Sequence, residues 1–226
     1  MRFFTLSLLM SALVALASCS DDGYSSGDGK YSYLTADFCL AHISVSKVAD
    51  YALADDGRKL QFASGVAAEW AEKGDTLCRA LLYYNQKPSA SSAGTVEPVA
   101  LTQVPVLRPV AAAKITHMLT DPLSVESCWL SADGRYVNLT LLLKTGKPDT
   151  DDKVQTVGLV VDGTAASESG ASVAKARLYH SQGGVPEYYT VRRYVSIDTH
   201  DIAADGLSLT VNTYGGIVEK NILFTR

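Results

Sequence analysis

Apolar and polar residues alternate with a period of two along most of this chain, and this pattern predicts an all-β protein. In the segment 38–45, Cys39, Ala41 and Ile43 alternate with Leu40 and His42. Successive side chains of a strand point to opposite faces of its sheet, so the segment has the pattern of a half-buried strand. Similar short segments recur at 51–53, 60–62, 76–84, 96–110, 125–130, 135–143, 154–161, 174–180, 188–197, 207–214 and 218–224.

Turn residues between these segments predict hairpins. Asp55-Asp56-Gly57, Ala132-Asp133-Gly134 and Gly215-Gly216 each lie between two strand-like segments. Glycine adopts positive φ without steric cost, as tight hairpin turns require. One helix is predicted, at residues 66–73, because Ser64 is placed to cap it and Gly74 to end it.

The order of these segments predicts two β-domains. Five strands with a short helix between the third and fourth suit an OB-type small barrel, which we assign to residues 34–116. The pattern restarts near Thr120, and its evenly spaced short strands predict an antiparallel β-sandwich at 117–226. The length of 226 residues, less a leader of 18, suits one large domain or two small domains.

The N-terminus predicts a lipoprotein signal peptide at residues 1–18. Arg2 precedes an apolar run from Phe3 to Leu16. A transmembrane helix needs about 20 apolar residues, so this shorter run fits a signal peptide better. Leu16-Ala17-Ser18-Cys19 matches the bacterial lipoprotein box, so we predict that Cys19 carries the lipid and anchors the protein in the membrane. The alternative is an ordinary signal peptide followed by a chance cysteine.

The polar, glycine-rich residues that follow predict a flexible tether at 19–33. Asp21 and Asp22 resemble the signal that sends some lipoproteins of Gram-negative anaerobes to the cell surface. We therefore predict an outer-membrane lipoprotein exposed at the cell surface. The alternative is a solvated linker with two incidental aspartates.

Charge and cysteine content narrow the class of protein. After loss of Arg2 the chain has 19 basic and 24 acidic residues and no basic stripe, which argues against nucleic-acid binding. Cys39, Cys78 and Cys128 are odd in number and lack a zinc spacing. Cys39 and Cys78 either pair across a sheet or serve as small buried apolar residues.

The sequence shows no catalytic motif in the structural context that its chemistry requires. There is no H-E-x-x-H and no phosphate-binding glycine loop, and G-x-S-x-G occurs only at residues 23–27, inside the predicted tether and not at a strand-to-helix turn. The densest polar cluster, Asp198-Thr199-His200-Asp201, has the composition of a turn. We therefore predict a protein that is not an enzyme, with no catalytic residues, metal or cofactor.

The segment 188–194 is the candidate ligand-binding face. Tyr188, Tyr189, Arg192 and Tyr194 combine aromatic rings with a guanidinium group, as energetically dominant binding residues often do. The alternative is that the tyrosines fill the sandwich core and the arginines pair with surface acids.

Short motifs along nearly the whole mature chain resemble the NigD-like lipoprotein family. They are the segments 19–25, 51–57, 74–75, 121–123, 128–130 and 136–139. The resemblance implies an OB domain and a β-sandwich behind a lipid anchor. It also implies a bacteriocin-related or immunity role, because the founding member is associated with a bacteriocin gene cluster. No catalytic residues are established for the family, so it implies none here.

Together these observations predict a lipid-anchored, surface-exposed, non-catalytic binding lipoprotein. Its partners are the membrane, through the lipid, and an unidentified protein, peptide or glycan. The alternative is a structural component of a cell-envelope assembly, in which edge strands pair with a neighbouring subunit.

Overall fold

A computed structural model describes residues 34–85, 94–167 and 170–224, and the predicted signal peptide, tether and Cys19 lie outside them. The described residues form strands and two single-turn 3-10 helices, at Ala112–Lys114 and Thr199–Asp201. None of these residues forms a helix long and apolar enough to cross a membrane. The strands are β1 (Leu34–Ile43), β2 (Val48–Ala54), β3 (Lys59–Ala67), β4 (Thr76–Asn85), β5 (Thr95–Gln103), β6 (Pro109–Ala111), β7 (Ser124–Leu130), β8 (Tyr136–Thr145), β9 (Thr156–Ala166), β10 (Ser172–Ser181), β11 (Tyr189–Asp198), β12 (Gly206–Thr213) and β13 (Gly216–Leu223).

The first five strands close into a barrel, which confirms the predicted OB-type architecture. Their order is β1-β2-β3-β5-β4, and β4 pairs with β1 from Leu34–Asn85 to Ile43–Thr76. The predicted alternation of β1 is also confirmed, because Cys39, Ala41 and Ile43 are fully buried in the barrel core.

The helix predicted at 66–73 is wrong. Val66 and Ala67 extend β3 and pair with Ala49 and Val48 of β2, so long-range strand pairing overrides the local helical pattern. The remaining residues form turns, and Ala68 and Ala71 cover one part of the barrel core. A segment this short gains little from helix formation by itself, so packing decides its conformation.

The second unit is the predicted β-sandwich. A five-stranded sheet of order β13-β12-β10-β9-β6 packs against a three-stranded sheet of order β11-β8-β7. Two pairings in the larger sheet, β10–β12 and β6–β9, are parallel, so that sheet is mixed. β6 lies within the range that the sequence-based division at 116/117 gives to the barrel, yet its hydrogen-bonded neighbour is β9 of the sandwich.

The predicted hairpin turns are confirmed. Gly57, Gly134 and Gly216 have φ values of 85°, 72° and 112°, which explains why glycine occupies these turns. The cysteines of the described residues are free, and burial raises the pKa of Cys39 to about 12. Cys39 is therefore a small buried residue of the barrel core and not half of a disulfide.

A buried arginine joins the barrel to the sandwich. On β4, Ala80 and Leu82 point into the barrel, so Arg79 points outward, towards the three-stranded sheet. Its guanidinium donates to both carboxylate oxygens of Asp55, at 2.5 and 2.7 Å, and it is only 5% exposed. It also donates to the Asn138 side chain of β8 at 2.9 Å and to the Ser196 hydroxyl of β11 at 3.2 Å.

Aromatic rings surround this arginine. The Arg79 guanidinium lies 4.0 Å from the ring centroid of Tyr136, on β8. Phe38 of the barrel makes edge contacts with Trp129 and Tyr194 of the sandwich, at centroid distances of 5.4 and 5.7 Å. Polar and aromatic contacts together fix the outer face of the small sheet against the barrel.

A second polar contact lies on the barrel surface. His42 of β1 contacts Asp50 of β2 at 2.7 Å and Asp75, just before β4, at 3.3 Å. Its ring stacks on Tyr51 with centroids 4.9 Å apart. Hydrogen bonding to Asp50, and more weakly to Asp75, raises the pKa of His42 above 6.5.

We expect Arg79→Met to destabilise the protein by about 3–5 kcal/mol, because it leaves the buried partners of a charged group unpaired. Urea unfolding measures the change. The control is Arg108→Met, which removes an exposed pair with Asp201 and should cost less than about 1 kcal/mol. Equal losses for the two variants would contradict the structural role of Arg79.

We expect the barrel to lose stability as the pH rises through the folded-state pKa of His42. Protonated His42 binds two carboxylates in the folded state, so its contribution is complete below the unfolded pKa of about 6.5 and disappears above the raised value. Melting temperatures between about pH 5.5 and 8.5 measure this. His42→Gln should flatten the profile, whereas His117→Gln, at an exposed position, should leave it unchanged; similar profiles for both variants would refute this role.

Candidate functional site

A cavity of about 680 Å³ opens beside β11, where the chain crosses from the barrel to the sandwich. Thr102 and Gln103 at the end of β5 contribute the barrel side of its lining. The rest comes from strands β8, β9 and β11, the loops after β8 and β10, and the crossing segment, which we define as residues 104–108 between β5 and β6. The lining residues of the sandwich and of the crossing segment are Pro105, Leu107, Leu141, Leu143, Thr145, Gly146, Pro148, Lys153, Val154, Gln155, Val157, Val185, Arg192, Arg193, Tyr194 and Val195.

The floor of the cavity is apolar because it is the open end of the sandwich core. Leu141, Leu143 and Val195 belong to the small sheet and are buried members of that core. Leu107 reaches the same core from the crossing segment. A ligand entering the cavity therefore meets apolar surface, and burial of its own apolar groups there would be favourable.

The structure places two of the four predicted binding residues, Arg192 and Tyr194, in the lining of this cavity. They lie on the face of β11 that is turned towards the barrel. Arg192 donates to both carboxylate oxygens of Glu126, at 2.7 and 2.6 Å, and this pairing raises the pKa of Arg192 and lowers that of Glu126. Burial, followed by interaction with Tyr194, raises the pKa of Tyr83 on the barrel.

The other two predicted residues lie outside the cavity lining. Tyr188, just before β11, and Tyr189, its first residue, are 79% and 57% exposed. Tyr188 still borders the site, because a Cβ added to the cavity residue Gly146 would lie 2.8 Å from its ring. The pairing of Arg192 with a surface acid agrees with the alternative considered above, but none of the three tyrosines belongs to the sandwich core.

Arg193 also lines the cavity; it belongs to the predicted segment 188–194 but is not one of the four residues selected from it. Its Cα partner on β8 is Leu141, and its neighbours Val191 and Val195 oppose Leu143 and Leu139. Because directly opposed residues share a face, Arg193 points to the apolar side of the small sheet. Its guanidinium makes no hydrogen bond or ion pair with any residue that the structure describes. The signal was available in the sequence, since Arg193 interrupts the apolar series Val191, Val195 and Ile197.

The cavity lining is mostly apolar, and its side chains that can donate or accept protons are Thr102, Thr145, Lys153 and Tyr194. Among the described residues that line it, none is His, Cys, Asp, Glu or Ser. The described part of the chain also contains no group of three or more His, Cys, Asp or Glu side chains arranged for a metal ion. The charged side chains among the described lining residues are those of Lys153, Arg192 and Arg193.

The cluster at 198–201 forms the predicted turn. Asp198 accepts a hydrogen bond from the backbone N–H of His200 at 3.0 Å, which caps the 3-10 helix Thr199–Asp201. Arg135 contacts Asp198 at 3.4 Å, and Arg108 contacts Asp201 at 2.8 Å. These acids therefore stabilise a turn and pair with arginines.

A second concavity, of about 440 Å³, lies on another side of the junction. It contains Phe38, Trp129 and the carboxylates of Asp37 and Asp56. Arg58 contacts Asp37 at 2.7 Å and Asp56 at 2.5 Å. Its lining carboxylates are therefore paired with arginines, since Asp55 also pairs with Arg79. Arg193 in the cavity beside β11 has no such partner among the described residues.

Known proteins resemble this chain in structure. No protein-family model and no curated protein sequence matches it significantly. A crystal structure of a NigD-like immunity protein from Bacteroides caccae has a TM-score of 0.63 and 22% identity, over 82% of this chain and 91% of that one. A protein of unknown function, DUF1344, from Bacteroides vulgatus has a TM-score of 0.63 and 18% identity, over 85% and 92%. A candidate lipoprotein from Bacteroides fragilis has a TM-score of 0.59 and 10% identity, over 85% and 98%.

These similarities extend over both the barrel and the sandwich. Because the sequence identities are only 10–22%, they show a shared fold and nothing more. The resemblance to NigD-like proteins that the sequence motifs predict is therefore confirmed at the level of the fold.

Proposed function

We propose that this protein is a lipid-anchored, non-catalytic binding protein of the cell surface, and that it holds its ligand in the cavity beside β11. The observation that carries the proposal is the lining of that cavity, which combines an apolar floor with arginines and offers no His, Cys, Asp, Glu or Ser side chain among its described residues. A ligand there would bury its apolar groups against the floor and pair its anionic groups with the arginines.

The size and position of the cavity support a binding role. Ligand sites in proteins commonly have volumes of about 300–1,000 Å³ and often lie where two domains meet. The cavity of about 680 Å³ fits this range, and it is lined from both the barrel and the sandwich. The Arg79 contacts hold these two walls together, so the site is largely formed before a ligand arrives.

The proposed anchor and location rest on the N-terminal sequence. Cys19 follows a lipoprotein box, and Asp21 and Asp22 follow Cys19. The similarity to a candidate lipoprotein from Bacteroides fragilis is consistent with this assignment. The similarity to a NigD-like immunity protein supports an immunity role for this protein. The proposal that this role is bacteriocin-related rests on the family resemblance of the sequence motifs.

A structural role in an envelope assembly is the second candidate. β13 is an edge strand of the larger sheet, and its Ile217 and Leu223 are 77% and 59% exposed. An exposed apolar edge strand can pair with a strand of a neighbouring subunit. Under this alternative, cross-linking of intact envelopes yields one stable complex that contains β13 at its interface, and Ile217→Lys abolishes it.

We expect Cys19→Ser to abolish incorporation of labelled palmitate and to leave the predicted signal peptide uncleaved, because the thiol that carries the lipid is lost. Cys128→Ser, which removes a thiol of the sandwich, is the matched control and should retain palmitate labelling and the mature size. Protease treatment of intact cells should remove the wild-type domains. Full protection from protease would contradict the surface location and place the domains inside the envelope.

We expect the uncharged dye Nile red to bind in the cavity and to gain fluorescence. Thr145→Trp should reduce this signal about tenfold or more, because residue 145 continues the inward row of Leu141 and Leu143 and the larger ring fills the cavity. Lys147→Trp, in the exposed loop that follows, should leave dye binding unchanged. No dye binding to the wild type, or equal binding to both variants, would refute the cavity as a ligand site.

A further inference from the structure

We infer that the free edge of β11 binds an extended peptide that carries a carboxylate, and that Arg193 pairs with this carboxylate. The inference rests on the binding function proposed above and specifies the chemical class of the ligand. Three features of the cavity lead to it: an open strand edge, an unpaired cation and an apolar floor.

The backbone of β11 has a free edge inside the cavity. The Ser196 N–H donates to the Pro105 carbonyl at 2.9 Å, and the Leu107 N–H donates to the Ser196 carbonyl at 2.8 Å. Ser196 thus directs both backbone groups away from β8. In a regular antiparallel ladder every second residue does the same, so Tyr194 and Arg192 also direct their N–H and C=O groups towards this edge.

The crossing segment shows how a strand pairs with this edge. Val106 forms a parallel bridge with Ser196. Two residues before Val106, the crossing segment no longer pairs with β11. There the Val104 N–H donates instead to the Arg79 carbonyl of the barrel, at 3.0 Å. The edge beside Tyr194 and Arg192 therefore faces the cavity, and an extended peptide placed there would continue the pairing that the crossing segment begins.

The charge of the cavity selects an acidic ligand. Two of its three cations are already paired, Lys153 with Asp149 at 2.6 Å and Arg192 with Glu126 at 2.6 Å. Arg193 is unpaired within the described residues, and the described lining contains no carboxylate. A guanidinium group beside an apolar surface binds a carboxylate through two parallel hydrogen bonds.

The apolar floor indicates that the peptide also carries an apolar side chain. Arg193 and Leu141 lie side by side on the inner face of the small sheet, and Leu143 follows along the same face. Alternate side chains of an extended peptide lie on one face, about 6–7 Å apart. A peptide on this edge can therefore place an apolar side chain on the floor and a carboxylate at Arg193.

An inward-pointing charge on an edge strand has another known use, which is to prevent edge-to-edge pairing of protein copies. If that is the role of Arg193, its removal promotes self-association and leaves peptide binding unaffected. The two roles therefore differ in a measurable way.

The test uses arrays of random hexapeptides with free carboxyl ends, probed with the full chain carrying Cys19→Ser. We expect the bound peptides to contain an apolar residue near a carboxylate. Amidation of the carboxyl end distinguishes a terminal carboxylate from an Asp or Glu side chain as the source of the charge. Fluorescence polarisation with the best peptide then measures the affinity.

We expect Arg193→Gln to weaken peptide binding about tenfold or more, as loss of a charge-assisted pair should. Arg108→Gln, at an exposed arginine outside the cavity, should retain the wild-type affinity. A peptide with alternate backbone amides N-methylated should lose binding to the unaltered protein, which tests the strand edge without any change to the chain.

Each contrary result has a distinct meaning. Absence of array binding, with Nile red still entering the cavity, overturns the peptide inference and leaves the proposed binding site intact. Absence of both signals overturns both. Unchanged peptide affinity of Arg193→Gln overturns the role of Arg193, and self-association of that variant would assign Arg193 to protection of the edge. Unchanged affinity of the N-methylated peptide overturns the strand-edge geometry.

Discussion

The buried ion pair between Arg79 and Asp55 is the interaction on which the arrangement of the two units depends. A charged group is costly to remove from water unless every donor and acceptor around it finds a partner. Here Asn138 and Ser196 of the sandwich complete the set that Asp55 begins in the barrel. The Arg79 charge is therefore satisfied only when the barrel and the sandwich are in contact, and the cavity between them acquires its walls in the same step.

This requirement also explains the composition of the small sheet. On β8, Val137, Leu139 and Leu141 face the sandwich core, whereas Asn138 and Thr140 face the barrel. Asn138 and Thr140 are nevertheless buried. The small sheet is thus covered on both faces, by an apolar core on one and by a polar and aromatic contact on the other.

Local features of the fold could be predicted from the sequence, because short segments carry their own signals. The glycines of the hairpin turns and the alternation of β1 and β8 depend only on neighbours along the chain. The helix predicted at 66–73 failed because Val66 pairs with Ala49, a contact that local pattern does not reveal. The parallel pairings of β6 and β12 escaped prediction for the same reason.

The candidate site could be predicted only in part. Aromatic and basic composition pointed to the segment around β11, and Arg192 and Tyr194 line the cavity there. Composition did not separate them from Tyr188 and Tyr189, because the boundary of the cavity depends on where the crossing segment leaves the barrel. Arg193 required the register of β11 against β8, which assigns each residue to a face.

Ser196 contacts both the buried Arg79 and the strand edge beside the cavity. Its hydroxyl accepts a hydrogen bond from Arg79, while its backbone pairs with Pro105 and Leu107 at the edge of the cavity. One residue thus participates in both the inter-unit contact and the strand pairing beside the cavity. Any free energy by which binding at that edge changes the association of the two units is matched by an equal change in the affinity of the edge, because such coupling is reciprocal.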